Sequence, residues 1–264
     1  MKVSIVIPTH ERPHLLRRLL DSIAFQTYQN YEVIVVDDGS SQKEQYQNLI
    51  DEYRHKFSEF RYVRNETSQG APSARNRGIH LAREEVIALV DDDDEWLPYK
   101  LEKQVEVMSQ NIPKLGLIYT WTKVVCDGHV IQEYTPVFEG SPLSALLLEC
   151  FIPSPSVMLT KQAALDAGLF DPMMPSCQDW DLWLRILKKG YECRVVKSFE
   201  TIYHKHNGIT IGNSSQAKQG YEMFYHKHLR LYRKYHPRLY LTLKFRQMLK
   251  PIKSIIKAIS GKNS

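Results

Sequence analysis

Between residues 3 and 90 the chain alternates short strand-like runs with longer helical patterns, and this rhythm limits the fold more tightly than any other feature. The runs are Val3 to Ile7, Tyr31 to Val36, Arg61 to Arg64 and Val86 to Val90. Between them lie a helical pattern from Pro13 to Ala24, a polar one near Gln42 to Phe57, and a third that opens at Ala71-Pro72. Proline at a helix start, as at Pro13, is in its favoured place. Strands separated by helices of this length pair in parallel, because each helix is the crossover that brings the chain back to the same sheet. The expected fold is α/β: a Rossmann-like, mostly parallel sheet flanked by helices. Three runs end in Pro8-Thr9-His10-Glu11, Asp37-Asp38-Gly39-Ser40 and Asp91-Asp92-Asp93-Asp94. In an open α/β sheet such strand ends converge on one ligand crevice.

The four aspartates are the chemically loudest of these ends. Like charges this close repel and raise one another's pKa unless a cation sits among them. Hard oxygen ligands at a sheet edge suit Mg²⁺ or Mn²⁺ shared with a substrate phosphate. A solvated acidic turn is the plainer alternative, and the position directly after a buried strand weighs against it. Asp37-Asp38-Gly39-Ser40 reads equally well as a ligand edge or as a turn with a helix cap. Further on, Ala74-Arg75-Asn76-Arg77-Gly78 sets two guanidinium groups along a helix near the same edge, and arginine forks match diphosphate oxygens. The chain has neither G-x-G-x-x-G nor G-x-x-x-x-G-K-[ST], so a nicotinamide or P-loop site lacks its phosphate cradle.

The net charge of +5 hides an asymmetry. From Met223 onward there are eleven Lys or Arg and no Asp or Glu, while residues 1–222 carry 24 basic and 30 acidic side chains, a net of −6. A nucleic-acid-binding domain would carry its basic footprint on the folded body, so that class is disfavoured. The four cysteines, Cys126, Cys150, Cys177 and Cys193, form no C-x-x-C pair, which fits a reducing cytoplasm. Val3 to Ile7 is too short an apolar block for a signal peptide or a membrane span, so the expected location is cytoplasmic.

Four motifs in order make the sequence specific: Ser4-Ile5-Val6-Ile7-Pro8-Thr9, Val35-Val36-Asp37-Asp38-Gly39-Ser40, Ala74-Arg75-Asn76-Arg77-Gly78 and Asp91-Asp92-Asp93-Asp94-Glu95-Trp96-Leu97-Pro98. With Gln178-Asp179-Trp180-Asp181-Leu182-Trp183-Leu184-Arg185 they resemble glycosyltransferase family 2 over roughly residues 1–210. The resemblance implies the GT-A fold and inverting transfer of a sugar from a nucleotide diphosphate, UDP by family habit. It implies that Pro8, Thr9, Glu11, Asp38 and Arg75 contact the nucleotide-sugar, with Asp91 and Asp92 beside them. Asp91 and Asp93 align with the family's D-x-D, whose second carboxylate reaches the metal, and His206 falls where relatives place a phosphate or metal contact. Asp179 matches the catalytic base. Gln178 stands where the commoner pattern has glutamate, which removes one charge beside that base. Phe151 to Ser156 resembles the acceptor-side loop. The implied acceptor is a glycan or lipid-linked hydroxyl in bacterial surface polysaccharide synthesis. A non-catalytic nucleotide-sugar-binding scaffold is the rival reading, distinguished by whether the donor is slowly hydrolysed in the presence of metal.

After Asn111 the rhythm changes. Leu115 to Val125 and His129 to Tyr134 flank Cys126-Asp127-Gly128, a hairpin signal. Helical patterns follow at Pro142 to Cys150, Lys161 to Ala167 and Asp179 to Lys189, with short strands at Val157 to Leu159 and Tyr191 to Val196. The expected organisation is a glycosyltransferase domain over 1–220, with a nucleotide half (1–111) and an acceptor half (112–220), then a C-terminal helical extension over 221–264. In that extension Leu241, Phe245, Met248, Leu249, Ile252, Ile255, Ile256 and Ile259 fall on one helical stripe, and Arg246, Lys250, Lys253 and Lys257 on the other side. This is the pattern of an interfacial helix on an anionic membrane, which would make the protein peripheral on the inner face of the cell membrane. The alternative is a stripe buried against the body or against a second subunit of a homo-oligomer.

Overall fold

The computed structural model describes residues 1–205 and 215–244. Among the described residues a nine-stranded sheet runs in the order Phe60–Arg64, Tyr31–Asp37, Val3–Thr9, Val86–Leu89, Met158–Thr160, Leu115–Cys126, Glu192–His204 and Glu95–Trp96, with His129–Tyr134 paired to Leu115–Cys126. Its first half is the expected parallel unit: β1 (Val3–Thr9), β2 (Tyr31–Asp37), β3 (Phe60–Arg64) and β4 (Val86–Leu89). These are joined by α1 (Pro13–Ala24), α2 (Lys43–Tyr53) and α3 (Ala71–Leu81). The second half comprises β5 (Glu95–Trp96), α4 (Lys100–Met108), β6 (Leu115–Cys126), β7 (His129–Tyr134), α5 (Leu143–Leu148), β8 (Met158–Thr160), α6 (Lys161–Asp166), α7 (Gln178–Lys188) and β9 (Glu192–His204). Helices α8 (Ser215–Lys227) and α9 (Leu229–Tyr235) follow, and residues 237–244 are again helical.

Every residue of β1 and β2 is buried, as a strand covered by helices on both faces must be. The period of two then sorts the side chains. Val6, Ile34, Val36, Ile87 and Leu89 enter one core with α3 and α7, while Ile5, Ile7, Val33, Val35 and Ala88 enter the other with α1, α2 and α4. Gly78 lets α3 lie against β1, because a Cβ there would overlap the Val6 side chain. The hairpin turn is as expected: Cys126 pairs with His129, and Asp127 and Gly128 both have positive φ.

Two features depart from the sequence reading. Strand β9 runs on past Val196 to His204, held by β6 on one side and β5 on the other, with register shifts that let it bend. The boundary at residue 220 falls inside α8, and beyond it Phe224 and Tyr232 are fully buried in the core cluster shared with α7. The first part of the extension is therefore packed into the body. The apolar stripe from Phe245 onward lies outside the described residues. Among the described residues no helix is long and apolar enough to cross a membrane.

Candidate active site

The three strand ends meet as expected, but most of their polar groups are turned to one another. Thr9 Oγ1 donates to Asp92 Oδ2 at 2.6 Å and lies 2.8 Å from the Tyr46 hydroxyl. Arg12, at the entrance to α1, places Nη2 2.6 Å from Asp92 Oδ1 and Nη1 2.6 Å from Asp93 Oδ2. Arg18 donates to the Asp93 carbonyl. Asp92 is wholly buried, and burial holds its carboxyl up at about 7 against the opposing pull of Arg12 and Thr9. Asp92, expected beside the nucleotide-sugar, braces β1 and the start of α1 to the aspartate run. Asp94 is also wholly buried, where it accepts the His204 N–H at 3.1 Å and closes the turn onto β9.

Asp38 is committed in the same way. It accepts from Asn65 Nδ2 (2.6 Å), Ser68 Oγ (2.7 Å), Gln69 N (3.0 Å) and Gly70 N (2.7 Å), so it shapes the loop that leads into α3. Burial opposes its ionised form, and these donors outweigh burial to leave its pKa below the usual value. Gly39 is what the loop requires: its φ is +79°, and a Cβ there would come within 2.7 Å of Ser68 N. Pro8 is buried beside Thr9, and Glu11 accepts Ser41 N and Oγ at 2.5 and 2.9 Å.

Arg75, Asp91 and Asp179 do come together. Arg75 donates from Nη2 and Nε to Asp91 Oδ1 (2.6 and 3.2 Å) and from Nη1 to Gln178 Oε1 (3.0 Å), with its guanidinium 5.3 Å from the Phe170 ring. Asp91 and Asp179 line one cavity of about 510 Å³, together with Tyr134, Trp180, Tyr203, Lys205 and Tyr221. The expected acceptor loop contributes Pro153, Ser154 and Pro155 to its wall. Asp179 Oδ1 accepts the Trp180 N–H at 2.8 Å; burial raises its pKa above the ordinary aspartate value, against the pull of that bond and of Arg75. A carboxylate shifted in this direction is better matched to taking up a proton near neutral pH. Gln178 also donates to the Met174 carbonyl at 3.0 Å, so the amide bridges Arg75 to the backbone without adding a charge beside Asp179.

Among the described residues no three His, Cys, Asp or Glu side chains are gathered as a metal cage. Asp91 and Asp93 fit a different arrangement, in which one or two carboxylates hold Mg²⁺ or Mn²⁺ and substrate phosphates and water complete the shell. Each of them is paired with an arginine, Arg75 or Arg12. His206 lies outside the described residues. Sequence reasoning missed Arg12, although its place in Pro8-Thr9-His10-Glu11-Arg12 at the same strand end was a signal. It also missed the aromatic wall, which had none, since Tyr134, Tyr203 and Tyr221 come from three separate elements.

The mostly parallel sheet with a carboxylate-lined cleft beyond its strand ends matches the GT-A architecture. The glycosyl transferase family 2 profile matches residues 4–165, and the chain belongs to that family. WcaA of Escherichia coli K12, named as a colanic acid biosynthesis glycosyl transferase, is 31% identical over 229 residues, covering 86% of this chain and 81% of that one. WfgD of Escherichia coli, named as a UDP-Glc:alpha-D-GlcNAc-diphosphoundecaprenol beta-1,3-glucosyltransferase, is 29% identical over 189 residues, 70% of each chain. Among solved structures, Staphylococcus aureus TarS 1–349 in complex with UDP-GlcNAc superposes with a TM-score of 0.67 at 19% identity, over 87% of this chain and 67% of that one. The chain spans 40% of the longer TarS structure. The protein is a glycosyltransferase with the GT-A fold.

Proposed function

We propose that this glycosyltransferase moves a sugar from a UDP-linked donor to a hydroxyl of a glycan or lipid-linked acceptor, with inversion, in the synthesis of a bacterial surface polysaccharide. The observation that carries the reading is the shared cavity of Asp91 and Asp179, with Arg75 tied to the first and to the neighbour of the second. Asp179 takes the proton of the acceptor hydroxyl, whose oxygen attacks the anomeric carbon. The bond from that carbon to the β-phosphate oxygen breaks, and UDP leaves with the electron pair. A single displacement of this kind inverts the centre. Arg75 holds Asp91 in the cavity wall, and the aromatic side chains exclude water and stack on sugar faces. Mg²⁺ or Mn²⁺ held by Asp91 and Asp93 would neutralise charge on the departing diphosphate. The donor and the lipid-linked acceptor rest on what TarS and WfgD are named for, and the polysaccharide setting on WcaA.

The place of action in this proposal is the cytoplasmic face of the membrane. Arg230, Arg233, Lys234 and Arg238 are exposed on and just beyond α9, and Leu241, the first residue of the apolar stripe, is 64% exposed. Basic groups beside an apolar stripe favour an anionic bilayer, where a lipid-linked acceptor would also lie. The test is release of UDP from UDP-glucose and UDP-N-acetylglucosamine in Mn²⁺, Mg²⁺ or EDTA, with and without undecaprenyl-diphosphate saccharides. Acceptor-stimulated, metal-dependent release supports the proposal; binding of neither donor, or equal turnover in EDTA, overturns it.

A further inference from the structure

The first turn of α7 carries Asp179, and three contacts press α8 and the His228 junction between α8 and α9 onto it. Ser176 Oγ lies 3.3 Å from the carbonyls of Gln216 and Ala217, and α8 crosses there so closely that a Cβ at Gly220 would overlap Ser176 Oγ. Trp180 stacks on Phe224 with ring centroids 4.1 Å apart and meets Tyr221 edge-on at 6.1 Å. Asp181, wholly buried, receives Arg185 Nε at 2.8 Å from its own helix, and also Lys227 Nζ at 2.9 Å and His228 Nε2 at 2.8 Å. His228 is itself 4% exposed.

Between Ser176 and Asp179 stands Cys177, the residue that enters α7, with φ 57° and ψ 28°. A non-glycine residue in the left-handed region is strained, and such strain persists only where the surroundings over-determine it. The over-determination here comes from α8 and from His228 at its junction with α9. Gly220 fixes the backbone before the turn, Phe224 fixes the ring after it, and Lys227 with His228 fixes the carboxylate one residue further on. These groups come from a segment more than 40 residues later in the chain, while Arg185 alone supplies Asp181 with a partner on its own helix.

We propose that α8 and the His228 junction that follows it form a clamp that holds the strained Cys177 turn and so aims Asp179 at the acceptor hydroxyl, with His228 acting through Asp181 as a positioning residue. The proposal rests on Asp179 being the base. Its consequence is that chemistry, rather than donor binding, depends on a contact remote from the nucleotide edge.

The test uses the full chain, with His228→Ala, His228→Gln and Gly220→Ala beside Asp179→Asn. Glutamine can still donate an N–H to Asp181, so it is the conservative variant. Hydrogen exchange of the peptide spanning 176–182 is followed together with kcat and KM for UDP release from UDP-N-acetylglucosamine. For His228→Ala and Gly220→Ala we expect exchange of that peptide at least tenfold faster, kcat down at least tenfold, and KM within twofold of wild type. His228→Gln should restore both readouts. Unchanged exchange in 176–182, a change in KM with kcat preserved, or a His228→Gln variant as impaired as His228→Ala would overturn the proposal. Full activity in Asp179→Asn would instead overturn the assignment of the base, while the exchange data still decide whether the clamp holds the turn. If one alanine variant fails to fold, the other decides.

Discussion

Arg12 and Asp93 form a 2.6 Å ion pair, and its other nitrogen holds the buried Asp92 at the same distance. The arginine is thus the counter-charge of the carboxylate proposed for the metal. A divalent ion at Asp93 has to compete with it for the carboxylate. Arg12→Gln should therefore tighten Mn²⁺ binding without donor by about three- to tenfold, a gain of roughly 1 kcal/mol. Asp93→Ala should abolish Mn²⁺-dependent binding of UDP. Isothermal titration of Mn²⁺ and of UDP checks both, and weaker Mn²⁺ binding in Arg12→Gln would show that the arginine organises the site instead of competing for it.

Asp179→Asn keeps the size of the side chain and an acceptor for the Trp180 N–H, but removes the proposed base. Turnover should fall by roughly 10²-fold or more, with UDP affinity near normal. The sign of the pH dependence follows from the raised pKa. The base works only when deprotonated, so the wild-type kcat should fall as pH drops through a value above that of an ordinary aspartate. Gln178→Glu places a second carboxylate beside it and should move that acid limb to higher pH. A limb that stays put would mean that Arg75 neutralises the added charge.

The parallel half of the fold was legible because its strands are short, continuous and bounded by turn residues, and because buried strands of this kind carry an unmistakable apolar signature. The end of β9 was not legible. Lys197-Ser198-Phe199-Glu200-Thr201 has no clean alternation, and β5 and β6 hold it in the sheet across several register shifts. The acidic run was legible as a group but not residue by residue. Asp92 and Asp94 point into the protein, and only the partners Thr9, Arg12 and His204, far away in sequence, determine that. The limit at residue 220 followed charge, which changes near Met223, whereas packing continues through Phe224 and Tyr232.

Gly78 carries a prediction about the frame of the site. Gly78→Ala drives a methyl into Val6, so α3 must move off β1 and carry Arg75 with it. Overpacking of this kind costs about 1–3 kcal/mol. Thermal unfolding should show a Tm lower by several degrees, and UDP binding should weaken with it. An unchanged Tm would mean that the helix slides without cost.

Asp181 makes the C-terminal helices sensitive to acid. Burial opposes its charge, but His228, Arg185 and Lys227 hold its pKa down at about 2. A carboxylate lowered in the folded state stabilises the protein above its unfolded pKa of about 4, and that stability is lost as pH falls from there toward 2. Asp181→Asn should lower stability at pH 7 and flatten the loss between pH 4 and 2, as read by urea unfolding across that range. An equally steep acid transition in the variant would assign it to other carboxylates.

The membrane proposal is tested by removing residues 245–264, which leaves every described contact of α8 and α9 in place. The deleted segment carries Phe245, Met248, Leu249, Ile252, Ile255, Ile256 and Ile259 together with five basic residues and no acidic one. Apolar insertion and attraction to headgroups should both disappear with it. Full-length protein should float with vesicles containing phosphatidylglycerol, and the truncated protein should stay in the supernatant while binding UDP normally. Raising the salt should release the full-length protein only in part, since screening acts on charge and leaves the buried apolar area intact. If the full-length protein never floats, or if truncation lowers the Tm of the body, the stripe packs against protein, either its own body or a second copy. A change in sedimentation upon truncation separates those two outcomes.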